Sequence, residues 1–359
     1  MPGAADFNPS HMSDVLIEQR KIMIGRMPSQ MAFKPGKNTL KAVVSTQTGK
    51  PNKVMDDAGS CQGVKVAWLY RPDSGNHVEP AFACVFEGVE GESKNQTIAP
   101  NIRITKRFRT KDDQCKDMFT FIQKLAADYA HYKSEIEEIA SKQINTTLYA
   151  NITPASSFPG KEPRLWDLSG VPYLYPNEEI QKPARTLAQL DSIIKYNAIP
   201  NPVVIGDSAW ETNAVLATFL NNQGGAEYNE AGLFDTSGKR WFFDAPNLDA
   251  LNDDYGKALV FDPNNVLFWS HNQWENTEPK KFVGDQYVFR DPSMYINMPN
   301  GQPLYYDVRM NYTCVEGQNG NVALAVDTEI KLMGGFIIGE ATKRAGDKGI
   351  HYFAELETT

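Results

Sequence analysis

Residues 112–144 read DDQCKDMFTFIQKLAADYAHYKSEIEEIASKQI, and this stretch decides the fold. Met118, Ile122, Leu125, Tyr129, Tyr132, Ile136 and Ile139 follow one another at steps of 4-3-4-3-4-3. That spacing places them on one stripe of a 3.6-residue repeat and predicts an α-helix. No Gly or Pro interrupts it, and Asp112 and Asp113 stand where a helix dipole favours carboxylates. At 1.5 Å per residue the helix is ~45–50 Å long, far above the usual ~11–12 residues. A free coiled coil is the alternative. A short seam carrying two tyrosines fits a helix laid on a sheet better.

On the N-terminal side the signals are β. Val64–Tyr70 and Ala81–Phe86 flank a turn-rich Pro72–Asn76. Ile102–Phe108 alternates, with Ile102, Ile104 and Phe108 expected on one face and Arg103, Arg107 and Arg109 on the other. The polar stretch Gly88–Gln96 is expected to be the exposed tip of a long loop or hairpin. Residues 1–60 are rich in Pro, Gly, Ser, Lys and Met. Apart from an amphipathic turn or two near Val15–Met23, they read as an extended arm that only a neighbour can order.

That arm carries an unusual charge. Between Gln19 and Met55 there are eight basic residues and no Asp or Glu, so in a chain of net charge −8 everything else sums to −16. A basic arm on an acidic body favours contact with an acidic partner, either nucleic acid or the body of a neighbouring copy; a solvated, flexible tail is the alternative.

On the C-terminal side, Pro154–Pro163 and Pro172–Pro183 are loop-like. Thr186–Asn197 and Ser208–Asn221 read as helices, the second capped by Asp207 or Ser208. Val203–Ile205, Lys239–Phe243, Lys257–Phe261, Val266–Trp269, Leu304–Cys314 and Val322–Leu332 read as strands, the last two joined by a turn over Glu316–Gly320. From Glu227 to Asp262 there are eight acidic residues against three basic ones, which makes this the acidic part of the charge split.

Catalytic chemistry is hard to find. The sequence has no P-loop, no Gly-x-Ser-x-Gly elbow and no His-Glu-x-x-His. Gly334–Gly339 superficially resembles a nucleotide loop but follows a late strand, so it reads as a tight packing segment. Asp244–Asp262 lacks the ligand spacing of a calcium loop and reads as solvated turns. His271 beside Trp269 and Trp274 reads as aromatic core with a surface His. Glu275 and Glu278 have no second acid at a defined distance for a glycosidase pair. The cysteines, Cys61, Cys84, Cys115 and Cys314, are far apart, which argues against a zinc site or a disulfide framework. No secretory signal is visible and no apolar run approaches the ~18–20 residues of a membrane span. The expectation is no enzyme, no cofactor and no metal, with folding in a reducing cytoplasm.

The order of parts carries more than any motif. A basic arm, a long β loop, the uninterrupted helix of Asp112–Asn151, a compact α/β region and a β return follow one another. Pro202–Trp210 with its following helix, Leu259–Trp269, and Gln302–Met310 with the strand after it add to the match. This layout resembles the major capsid proteins of tailed bacteriophages. The resemblance implies an α+β, Hong-Kong-97-type capsid fold: an arm over 1–60, an extended β loop over 61–111, a spine helix and peripheral domain over 112–150, an axial domain over 151–303 and a peripheral return over 304–359. It implies self-assembly into hexamers and pentamers of a virion shell built in the host cytoplasm. Further partners would be portal, scaffold or decoration proteins and double-stranded DNA on the inner face, with no membrane. The arm and the strip Arg103–Arg109 are then expected to meet acidic surfaces of adjacent subunits. Lys94 and Asn95 at the loop permit a family-type crosslink, which is not assigned. A cellular cage around an enzyme and a carbohydrate-binding or carbohydrate-active protein are the alternatives.

Overall fold

The computed structural model describes residues 36–46, 64–70, 92–98, 100–111, 118–152, 165–166, 194, 199, 201–211, 228–229, 232–234, 240–253, 256–270, 280–283, 286–292, 304–316, 322–339 and 349–355. Its helices are α1 (Asn38–Thr46), α2 (Met118–Ala150) and α3 (Ala245–Asp249), with a further helical stretch over 208–211. The strands are β1 (Val64–Tyr70), β2 (Glu92–Ile98), β3 (Ile102–Lys111), β4 (Leu165–Trp166), β5 (Val203–Gly206), β6 (Tyr228–Asn229), β7 (Gly232–Phe234) and β8 (Arg240–Phe243). They continue with β9 (Ala258–Phe261), β10 (Val266–Ser270), β11 (Lys280–Val283), β12 (Gln286–Pro292), β13 (Tyr305–Glu316), β14 (Val322–Ile338) and β15 (Ile350–Glu355). The class is α+β.

The strands fall into three sheets. One runs β10-β14-β13-β12-β11, with β3 also on β14. The second runs β4-β15-β9-β5-β8-β7-β6. The third is the antiparallel pair β1-β2 alone, in register from Val64↔Ile98 to Tyr70↔Glu92. Strand β14 is shared by two neighbours on one edge. Residues 325–334 pair with β3, and from Gly334 onward the same edge pairs with β10. Gly334 and Gly335 are buried at the handover, so the segment that resembles a nucleotide loop is strand.

Helix α2 is 33 residues long, about 50 Å, and lies across the first sheet against β3 and β14. Its fully buried apolar residues are Phe121, Leu125, Ala126, Tyr129, Ile136, Ala140, Ile144 and Leu148. Ile122, Tyr132 and Ile139 are only partly buried. The contact therefore follows rows of i+4 steps (121, 125, 129 and 136, 140, 144, 148) and not the even 4-3 stripe of the sequence. An i+4 row is inclined to the helix axis, so a helix crossing a sheet obliquely buries such rows. Residues 112–117, with the expected acidic start, lie outside the described residues.

Strand β3 alternates as expected: Ile102, Ile104, Phe108 and Thr110 face α2 and are buried, while Arg103, Thr105, Arg107 and Arg109 are exposed. Other expectations need correction. Glu92–Gln96 is not a loop tip but part of β2. Its polar side chains give no hydrophobic period, and only pairing with β1 makes it a strand. Asn38–Thr46 is not extended; it is a helix buried by its own chain. Asp244–Asp262 is not a run of solvated turns, since it holds α3 and the wholly buried β9. Sheet membership also crosses the expected boundary at 303/304. Strands β10, β11 and β12 join β13 and β14, while β15 returns to pair β9 and β4. Partners far apart in sequence set these pairings, and linear order does not reveal them.

Candidate assembly surfaces

Asp244, at the end of β8, anchors the arm. Its Oδ2 accepts from the Thr39 backbone N–H at 2.8 Å, the Thr39 hydroxyl at 2.5 Å and Asn247 Nδ2 at 3.1 Å. A carboxylate from 205 residues away thus satisfies an orphan donor in the first turn of α1. Asn38 Nδ2 donates to the Phe243 carbonyl, and the Leu40 N–H donates to Ser141 Oγ on α2. Asn247 Nδ2 also donates to the Gly36 carbonyl. Gly36 itself has φ +82°, and a Cβ there would meet Asn247 Nδ2 at 3.2 Å, so the chain turns into α1 at a position suited to glycine. Below this clasp Leu40, Val43 and Val44 enter the main core. Burial pushes the Asp244 carboxyl above its ordinary pKa, and the Thr39 and Asn247 hydrogen bonds pull it back in part.

Under α2 lies a second polar arrangement. Lys133 and Glu137 continue the i+4 row of Phe121, Leu125 and Tyr129 and are 5% and 7% exposed. Lys133 Nζ sits 2.7 Å from Asp291 Oδ2, which also accepts from the Tyr129 hydroxyl at 2.7 Å. The same ammonium lies 4.5 Å from the Tyr306 ring centre. Tyr306 donates to Glu137 Oε1 at 3.0 Å, and Lys37 reaches Glu137 Oε2 at 3.8 Å. Ion pair and hydrogen bonds together offset the cost of burying these charges, and they tie the arm, α2, β12 and β13 to one another.

The face of the first sheet turned away from α2 is polar. Register sets Arg109 opposite Asp327, Arg107 opposite Glu329, Lys331 opposite Asp307, and Asp307 opposite Arg290. Arg109 grips Asp327 through two bonds of 2.5 and 2.6 Å, and Arg107 Nε meets Glu329 at 2.5 Å. The Arg109 contact holds the Asp327 carboxyl below its ordinary range. Arg309 lies 4.0 Å from Glu329. Two of the three arginines expected to bind a neighbour are thus already engaged inside the chain, on the exposed side where such pairs contribute little stability. Lys37 is engaged too, so its charge reversal would place a carboxylate beside Glu137.

The remaining sequence candidates are scattered. Asp207 caps the helical stretch, accepting from the N–H groups of Ala209 at 3.0 Å and Trp210 at 3.1 Å, with Lys257 N at 2.7 Å on its other oxygen. Burial raises its pKa against these bonds. Strand β10 contains Trp269, but His271, Trp274, Glu275 and Glu278 lie outside the described residues, as do Cys61, Cys84 and Cys115. Among the described residues, no group of three or more His, Cys, Asp or Glu could hold a metal ion, and no helix is long and apolar enough to cross a membrane. The buried Lys133, Glu137 and Asp291 were missed. Their charges imply solvent, and only the i+4 row through Tyr129 could have flagged the first two.

No family model matches the chain, and no curated protein matches it. Similar solved structures include one from Mycobacterium phage Cain, at 10% identity and TM-score 0.43 over 93% of this chain and 95% of that one. Another is the asymmetric unit of the bacteriophage PhiM1 mature capsid, at 9% identity and TM-score 0.40 over 84% and 83%. A third is the virus-like particle from Pyrococcus furiosus, at 11% identity and TM-score 0.32 over 96% and 98%.

Proposed function

We propose that the chain is a structural shell subunit, a tailed-phage major capsid protein of the Hong-Kong-97 type, and not an enzyme. The observation that carries this reading is the β1–β2 hairpin. It pairs with no other described strand, and a lone two-stranded sheet is marginal in water at best. Seven residues on each side are nevertheless held in register, which suits a projection completed by another copy. A long helix tied to its sheet by buried charges, with the arm clasped at its root, supplies the rigid body from which such a projection extends.

In this reading residues 1–60 are the arm, now rooted by α1, and 61–111 the extended loop with its return strand β3. The first sheet with α2 is the peripheral domain and the second sheet the axial domain. Copies assemble as pentamers and hexamers of an icosahedral virion shell around double-stranded DNA, built in the host cytoplasm, with portal, scaffold or decoration proteins as further partners.

Expression of the chain alone, followed by light scattering and negative-stain microscopy, tests this. Closed shells, or rings of five and six, are expected. A chain that stays monomeric at low and high salt, even with a scaffold or portal protein added, overturns it.

A further inference from the structure

The outer face of the first sheet holds an imbalance that its internal pairs do not remove. Among the described residues its cations outnumber its carboxylates, Asp307, Asp327 and Glu329, although the whole chain carries −8. Asp327 is taken by Arg109, and Glu329 by Arg107 with Arg309 nearby. Asp307 stands between Lys331 and Arg290, and the excess is clearest at Arg103. Arg103 is exposed and faces Met333 across the register, not a carboxylate. Lys331 is half-buried, and burial together with the charges of Arg103 and Arg309 holds its pKa below the ordinary value against the pull of Asp307 and Glu329. The Arg290 guanidinium lies 4.8 Å from the Tyr305 ring centre, so the aromatic face already takes up part of its charge.

We infer that the Arg103 side of this face is a docking surface for an acidic surface of a second copy of the chain. The inference rests on the shell-subunit reading and adds the place and sign of one contact. Two observations favour a second copy over nucleic acid. Carboxylates are interleaved with the cations, so a uniformly anionic polymer laid on the face would meet Asp327 and Glu329 as well. The body of each copy is acidic and offers exposed carboxylates, Asp249 and Asp253 among them. Met333, partly exposed beside Arg103, adds an apolar contact that a protein surface can use.

The test is sedimentation velocity of the full chain and its Arg103→Glu and Arg103→Lys variants at ~0.05 M and ~0.5 M salt, conditions that differ about threefold in screening length. Arg103→Glu is expected to raise the concentration for half-assembly on the order of tenfold at low salt, less at high salt, while Arg103→Lys stays within about twofold. Thermal melting of the unassembled subunit should not change, because the side chain is exposed. Normal assembly of Arg103→Glu at low salt overturns the docking surface and leaves the shell reading intact. So does a loss of duplex-DNA binding by that variant without loss of self-association. A wild-type chain that never associates overturns both.

Discussion

Three buried or half-buried aspartates and a fourth, paired with Arg109, respond to acid in opposite directions. Burial holds Asp244, Asp207 and Asp262 above the ordinary carboxylate range, whereas Arg109 holds Asp327 below it. A carboxyl raised in the folded state contributes stability that is present below its unfolded pKa and lost as pH rises through the folded value. Asp327 does the reverse, its contribution being present above the unfolded value and lost as pH falls through the depressed one. Asp244→Asn removes one raised titration and puts an amide N–H₂ where the buried Oδ1 has no partner. We expect it to cost about 1–2 kcal/mol near neutrality. The gap to wild type should widen on mild acidification, and denaturant melts across pH check both. At Asp291 the argument concerns pairing. Lys133→Met leaves that carboxylate buried without its ammonium and should cost ~3–5 kcal/mol, while adding Asp291→Leu should recover much of the loss. A single variant with no effect in urea melts would show that the pair is not the fastening described.

Helix α2 was legible in the sequence, and the reason is instructive. Thirty-three residues without Gly or Pro let a helix run unbroken, and the apolar spacing marks it as a helix and shows one side of it. The orientation of that side was only half legible, because two charged residues sit on the buried row and their polarity argues for water. Strand β3 was read correctly face by face, since a half-buried strand writes its two environments in alternation. Strands β2, β11, β12 and β15 were not read as strands. They owe their state to partners, and in the candidate surfaces the same holds for the pairing of Arg107 and Arg109 with β14. Within α2 the tightest test is Ile144, which is fully buried. Ile144→Ala should cost about 2–5 kcal/mol. The neighbouring Ala140→Leu should cost ~1–3 kcal/mol by overpacking, and chemical denaturation reads both.

Across the whole molecule, stability and assembly should separate. The β1–β2 pair bonds to no described strand of either large sheet, so a proline at Ala67, opposite Asn95 in the register, removes a ladder hydrogen bond or splays the hairpin. We expect the subunit to melt at the wild-type temperature and to fail to form shells. A fall in melting temperature of more than a few degrees would mean the hairpin is part of the body. The body's own unity has a different origin. Strand β14 leaves β3 and meets β10 at Gly334 without a break in the chain. Tension between its two neighbours along that edge therefore travels through peptide bonds and does not peel hydrogen bonds apart one by one. Two adjacent glycines are buried at the handover, so no Cβ stands in the way where the edge passes from one partner strand to the next.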